Sequence, residues 1–447
     1  MFRTMRLLIV FALILVAVPP LAAQANPVEI PDLPATCSTA TLPDQETTLV
    51  CFPPASMWNG DLVLFAHGYV FDYPPGLPPI LPYDQIMLKV GDSTVWLPAV
   101  LNQMGFGFAM TSYSKNGLAV KEGVAETRAL AAAISAQVAA AGREIRHVYV
   151  IGASEGGLIT TLLMERYPEE FHGGLAMCAP VGDFQKEINY WGNFRAVLDV
   201  LFPVLPASAI DIPSTLMADW VLPIEESYYQ QNLMLAMQDN PPWTAALITV
   251  TQAAVDPTSP ATTPLTVKGL LDYNIFATNE GQVELGVQPF DNMTTVYSGA
   301  GPLDQYINAR IERYPSSGDV AAALAPYQTS GLLRRPLIEM HTTLDPIVPF
   351  WHQGLYTAKV IATHSWPKYT PVAISRYGHC NFTTSEMLYY FLAMVYKSSQ
   401  RPIDLSFMQG LFSDNGQTYQ AILALNGNST RLPSSPRQTF LPALSNH

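Results

Sequence analysis

One stretch of this chain has the residue types and spacing that nucleophilic catalysis requires: Val148-Tyr149-Val150-Ile151-Gly152-Ala153-Ser154-Glu155-Gly156-Gly157. A serine between two glycines, after an apolar run and before a helix-forming one, predicts a strand turning sharply into a helix. Such a turn strains the serine's backbone and leaves no room for side chains two residues away, hence Gly152 and Gly156. Ser154 is then aimed out of the sheet at the helix start, where free N–H groups and the helix dipole favour developing negative charge. The chemistry expected of it is attack on an acyl carbon.

A hydroxyl nucleophile needs a base, and the base needs an orienting acid. Of eight histidines, His379 in Tyr377-Gly378-His379 follows a strand-like run and precedes a helical one, which places it over the sheet edge. It is the expected base. Asp345, in Glu339-Met340-His341-Thr342-Thr343-Leu344-Asp345-Pro346-Ile347-Val348-Pro349, sits after the preceding strand and is the expected acid. Asp-Pro is also a common turn pair, so a purely local role for Asp345 stays open. His341 and His352, at a strand end and a helix start, read as structural. For an oxyanion hole the candidates are the N–H of Glu155, next to the nucleophile, and that of Tyr69 in Phe65-Ala66-His67-Gly68-Tyr69. His67 and the Tyr69 ring are candidate substrate contacts.

The elements that must position these groups alternate. Strands are expected at 61–66, 105–113, 145–151 and 173–178, with helices at 120–141 and 156–167. The alternation stops at Pro180 and resumes with strands at 336–340 and 371–375 and helices at 351–362 and 385–397. Alternating strands and helices imply a mostly parallel sheet flanked by helices. Residues 181–330 differ, with many aromatic residues and prolines and helix-like patches such as 232–237. A structureless loop of that length is implausible inside a compact domain, so a mainly helical inserted cap is expected there.

Composition narrows the function. With 49% hydrophobic and 13% charged residues the chain can bury a large core, and its 23 basic against 36 acidic residues, formal charge −13, argue against nucleic acid as a partner. Residues 1–25 have the order of a signal peptide: Arg3 and Arg6, the apolar run Leu7 to Val18, then Ala23-Gln24-Ala25. Pro19-Pro20 ends the run short of a membrane span, so secretion or periplasmic export with no stable anchor after cleavage is expected. Cys37, Cys51, Cys178 and Cys380 form an even set suited to an oxidising compartment. Three pairings are open, although the polar stretch 38–50 could close a hairpin between the first two. No H-E-x-x-H or paired-Cys spacing points to a metal, and no cofactor is implied. The Pro- and Ser-rich residues 431–447 read as a flexible tail.

The chain resembles an α/β-hydrolase of the secreted esterase type over about residues 55–180 and 331–400, on His67-Gly68-Tyr69, Gly152-Ala153-Ser154-Glu155-Gly156-Gly157, Asp345-Pro346-Ile347-Val348-Pro349 and Gly378-His379-Cys380. The resemblance implies an α/β-hydrolase catalytic core (26–180 and 331–430) interrupted by a cap (181–330). It also implies a Ser154, His379, Asp345 triad. Tannase and feruloyl esterase enzymes are similar in a further respect: a Cys beside the catalytic Ser is bridged to one beside the catalytic His. Here Cys380 follows His379, but Ala153 precedes Ser154. Cys178, at the end of the next strand, is the substitute partner, which leaves Cys37 with Cys51. A cap over the site makes Trp191 and Trp220 candidate substrate contacts and implies bulky, aromatic or oligomeric ester substrates, small-molecule or polymeric, for a monomer or weak oligomer. Glu187, Glu225 and Glu226 in the cap could instead hold a substrate ammonium, and Gly156-Gly157 also resembles prolyl-peptidase-like chains, so a secreted serine peptidase is the alternative. A hydrolase-like binding protein without catalysis is the third reading.

Overall fold

The structure, a computed structural model, describes residues 36–42, 46–90 and 93–401; the expected signal peptide and C-terminal tail lie outside them. Strands β1 (Cys37–Thr41) and β2 (Thr47–Cys51) form an antiparallel hairpin, with Cys37 opposite Cys51 and a disulfide joining them. Next come β3 (Asp61–Ala66), a separate two-stranded ladder of β4 (Met87–Val90) and β5 (Ser93–Trp96), helix α1 (Leu97–Gln103) and β6 (Gly107–Thr111). The ladder and α1 were not foreseen; they lie in a Pro-rich interval with short, weakly periodic runs.

Helix α2 (Val120–Ala140) leads to β7 (His147–Ala153), α3 (Glu155–Arg166) and β8 (Gly173–Met177). Every residue of β3, β6 and β8 is buried, which is why these strands read as continuous apolar runs rather than alternating ones. Helices α4 (Phe184–Leu201), α5 (Ser214–Trp220), α6 (Tyr228–Asp239), α7 (Pro241–Thr251), α8 (Thr262–Leu285), α9 (Pro302–Arg310) and α10 (Val320–Leu324) follow. The chain then returns through β9 (Leu337–Leu344), α11 (Trp351–Ala362), β10 (Tyr369–Tyr377) and α12 (Thr384–Ser399).

The main sheet has eight strands in the order β1-β2-β6-β3-β7-β8-β9-β10. Only the β1/β2 and β2/β6 pairings are antiparallel; the other five are parallel. Helices flank it on both sides. A Cβ on Gly173 would run into Met394 and Ser398 of α12, whereas one on Gly174 would meet Met164 of α3. Successive strand residues face opposite ways, so α3 and α12 cover opposite faces. Parallel strands also bring the C-terminal ends of β3, β7, β9 and β10 to one edge, where the loops carrying His67 to Tyr69, Ser154, Asp345 and His379 gather.

Helices α4 to α9 share an apolar cluster of their own, including Phe194, Leu198, Trp220, Leu233, Leu247 and Leu270, and it extends to Ile347 and Val348 in the loop after β9, whereas Leu324 of α10 joins the core around the sheet. The insertion thus packs against the loop that carries Asp345. Among the described residues no helix is long and apolar enough to cross a membrane.

Candidate active site

Ser154 lies between β7 and α3 with φ 56° and ψ −125°, a conformation an ordinary side chain rarely adopts. A Cβ on Gly152 would collide with the Gly156 carbonyl, and one on Gly156 with the Ala66 carbonyl. The steric reason for the glycine spacing is therefore visible: α3 starts so close to the ends of β3 and β7 that no side chain fits.

His379 Nε2 lies 2.9 Å from Ser154 Oγ, and its Nδ1 lies 2.8 Å from Asp345 Oδ2. A carboxylate can only accept here, so Nδ1 carries the proton, Nε2 is free to accept, and the serine hydroxyl donates to it. Asp345 is buried, and its other oxygen accepts from the N–H groups of Ile347 at 2.9 Å and Val348 at 3.0 Å. The turn reading and the orienting reading of Asp345 both hold, one for each oxygen. His379 remains partly exposed. Such a chain of groups can move the Ser154 proton onto an imidazole and deliver an oxygen nucleophile.

The residue following His379 is tied down. Cys380 is disulfide-bonded to Cys178 at the end of β8, so both expected pairings are the ones found. The one grouping of metal-type ligands among the described residues is Cys178, His379 and Cys380, but its sulfurs are joined to each other and offer no thiolate.

His67-Gly68-Tyr69 lies against the turn, for a Cβ on Gly68 would sit 3.3 Å from Ser154 Cβ and 3.1 Å from the Ala153 carbonyl. The Gly68 N–H donates to Gln85 Oε1 at 2.6 Å. The Glu155 N–H belongs to the first turn of α3, where no intrahelical acceptor exists. Gly68, which precedes Tyr69, and Glu155 thus both lie next to Ser154. The Glu155 carboxyl is buried; it accepts from the Ala119 N–H at 2.8 Å, and burial pushes it up to about 8.

A cleft opens at Ser154 between sheet edge and insertion. Its walls are mainly apolar: Tyr69 and Leu118 from the core, Phe184, Ile188 and Trp191 from α4, Tyr273 from α8. Trp191 stacks on Tyr273 with centroids 4.9 Å apart, and its indole N–H donates to the Ile347 carbonyl at 3.0 Å. The Tyr273 hydroxyl reaches the Ser154 side chain, and burial holds it well above its ordinary range, so it stays protonated. Glu280 of α8 also lines the cleft, where it accepts from Lys115 at 3.0 Å and the Leu118 N–H at 3.0 Å. Tyr273 and Glu280 carried no local motif; the insertion folds them over Ser154, and only their position on a 24-residue helix unites them.

Three expectations need correction. Trp220 is buried in the insertion's own core, its indole N–H on Asp272 at 2.8 Å, and does not line the cleft. His67 is buried beneath the edge, stacked on Tyr113 at 3.9 Å with Nδ1 2.8 Å from the Gly68 carbonyl, and burial pulls its imidazole down to about 4; it does not line the cleft. Glu187 is buried against His352 Nε2 at 2.8 Å, and Glu225 and Glu226 are exposed on the surface, so none of the three faces the cleft.

A family model described as serine aminopeptidase, S33, matches residues 105–269. Among solved structures, the chain is similar to an esterase from Aspergillus oryzae: 14% identity, 77% of this chain and 72% of that one, TM-score 0.46. It is also similar to feruloyl esterase B from Aspergillus oryzae: 14% identity, 81% and 80% covered, TM-score 0.42. A third likeness is to the Pyrococcus horikoshii acylaminoacyl peptidase, at 8% identity and TM-score 0.38, where 82% of this chain spans 42% of that one. Comparison with curated proteins finds no match. Strand order and the strained turn at Ser154 between β7 and α3 give this chain an α/β-hydrolase fold.

Proposed function

We propose that the protein is a serine hydrolase that cleaves carboxylic esters of bulky apolar or aromatic acids through an acyl-enzyme on Ser154. The observation that carries this is the unbroken chain from Ser154 Oγ to His379 to Asp345, with bonds of 2.9 and 2.8 Å, opening onto the cleft. In this reading His379 takes the serine proton as Oγ attacks and returns it to the leaving alcohol, while Asp345 holds the imidazole in the productive tautomer. The N–H groups of Tyr69 and Glu155 receive the carbonyl oxygen as it becomes negative. Helices α4 to α10 act as the cap. The apolar walls of Ile188, Phe184 and Trp191 support an uncharged acyl group over a charged one. Two disulfides fit an exported protein working where thiols are oxidised.

The serine aminopeptidase match favours a second reading, a peptidase with the same triad. An aminopeptidase would need a carboxylate in the cleft free to hold an ammonium, and Glu280 there is already neutralised by Lys115. Nitrophenol release from butyrate and benzoate esters is therefore expected to exceed nitroaniline release from aminoacyl amides, and Ser154→Ala should abolish it. Preferential amide cleavage would move the assignment to the peptidase; equal ester turnover by Ser154→Ala would remove both.

A further inference from the structure

His341 stands behind Asp345, outside the chain of groups that ends on Ser154. Its ring is buried, and both nitrogens face acceptors. Nε2 lies 2.8 Å from the Val348 carbonyl and 3.7 Å from Asp345 Oδ2. Nδ1 lies 3.1 Å from Glu339 Oε1. A carbonyl is an obligatory acceptor, so Nε2 carries a proton. Glu339 Oε2 already accepts from Gln353 Nε2 at 2.6 Å and the Tyr369 hydroxyl at 3.1 Å, so a second proton must lie between Nδ1 and Oε1. Burial alone would lower the imidazole's proton affinity, but Glu339, Asp345 and the Val348 carbonyl together raise it, which places that proton on the ring.

The surroundings leave His341 as the cation of this cluster. From α11, His352 accepts the Gly182 N–H at Nδ1, and burial first and His341 next hold it far below its ordinary value, so it is neutral. From α4, Glu187 receives the His352 Nε2–H, and burial followed by the nearness of Asp345 raises it strongly. Tyr190 of α4 donates to the Pro346 carbonyl, Phe350 lies edge-on to the His341 ring, and Tyr369 of β10 donates to Glu339.

We propose that His341 is a positioning residue of the site, clamped by Glu339 so that it pins the 345–348 loop through the Val348 carbonyl and sets a positive charge behind the Asp345 carboxylate. The inference rests on the triad reading above. A cation there opposes a second positive charge on His379, so the wild-type site keeps a free base to lower pH than it would with a neutral His341.

Glu339→Gln removes the Glu339 anion and the His341 cation together, and because His341 lies between Glu339 and Asp345, loss of the nearer cation outweighs loss of the more distant anion. Gln353 and Tyr369 both donate to the Oε2 position, so the new amide must turn its oxygen there and its NH2 toward Nδ1, which then loses its proton. Every hydrogen bond survives and the cation does not. The measurement is the rate of covalent labelling by a fluorophosphonate, which needs no knowledge of the substrate, from pH 4 to 9. In Glu339→Gln the acid limb should move to higher pH by on the order of half a unit, with the plateau rate reduced less than tenfold. His341→Gln, which keeps a donor for Val348, should shift the limb in the same direction. An acid limb coinciding with wild type in Glu339→Gln, with the protein folded by circular dichroism, would overturn the inference. Labelling that persists in Ser154→Ala or His379→Ala would instead overturn the triad reading itself, so the two failures are distinguishable.

Discussion

Asp345 shows how much a single side chain can be asked to do. One oxygen closes the turn onto Ile347 and Val348, and the other fixes the tautomer of His379. Asn at this position keeps the turn, because its amide oxygen can accept the same two N–H groups. Its NH2 then faces Nδ1 and forces the imidazole proton onto Nε2, where the serine needs an acceptor. Asp345→Asn is expected to lose about 10⁴-fold in ester turnover at neutral pH while melting within a degree or two of wild type. Ser154→Ala and His379→Ala should lose at least about 10³-fold. Ser154→Ala should not be less stable, since the strain at φ 56° belongs to the backbone and stays. Turnover of nitrophenyl butyrate beside thermal melts reads all three, and any of them working at near the wild-type rate would remove that residue from the reaction.

At the scale of elements, the disulfide between Cys178 and Cys380 ties the end of β8 to the residue following the base. Both cysteines have positive φ, 47° and 51°, so each end of the bridge sits in a tight, unusual turn. Converting both to Ser frees the loop between β10 and α12, which holds the His379 ring on Ser154. The expected result is a fall in kcat of about tenfold from lost alignment, with the melting temperature lowered by several degrees. An unchanged kcat with the bridge removed would make it a staple for stability alone. This loop also marks the border of what the sequence makes legible. Strands β3, β7 and β9 and the turn at Ser154 were readable because their signals are local: buried apolar runs, two glycines that sterics demand, and Asp and His immediately after strands. Trp191 and Trp220 look alike in sequence, yet one walls the cleft and the other fills the insertion's core. Which face of a cap helix meets the sheet edge depends on long-range packing between helices that carry no period-specific signal. The same holds for Tyr273 and Glu280, and for the reach of Glu339 and His341 to the back of Asp345.

For the molecule as a whole, buried groups with opposite shifts shape stability against pH, and His67 and Glu155 show the two signs. The folded state keeps His67 neutral down to about 4, whereas the unfolded chain takes up a proton at 6.5. Its contribution is therefore complete above pH 6.5 and lost as pH falls toward 4. Glu155 works the other way, because the folded state holds its proton up to about 8 while the unfolded chain releases it at 4.5. That contribution is complete below 4.5 and lost as pH rises to 8, by an amount on the order of 5 kcal/mol. Between 4.5 and 6.5 the two slopes oppose each other and nearly cancel. Between 6.5 and 8 the contribution of Glu155 goes on falling, alongside those of buried Glu187 and His341, whose proton affinities are also raised, so urea midpoints should fall more steeply in the second window than in the first. Glu155→Gln keeps the acceptor for the Ala119 N–H and removes the titration. Its midpoint should decline less steeply from pH 6.5 to 8 than that of wild type, and a parallel decline in the variant would assign the Glu155 share elsewhere. The same ionisation matters for catalysis, since a carboxylate formed beside the donor next to Ser154 would oppose the negative charge that the oxyanion site has to receive. Wild-type ester turnover should therefore fall as pH rises through 8, and Glu155→Gln should retain it.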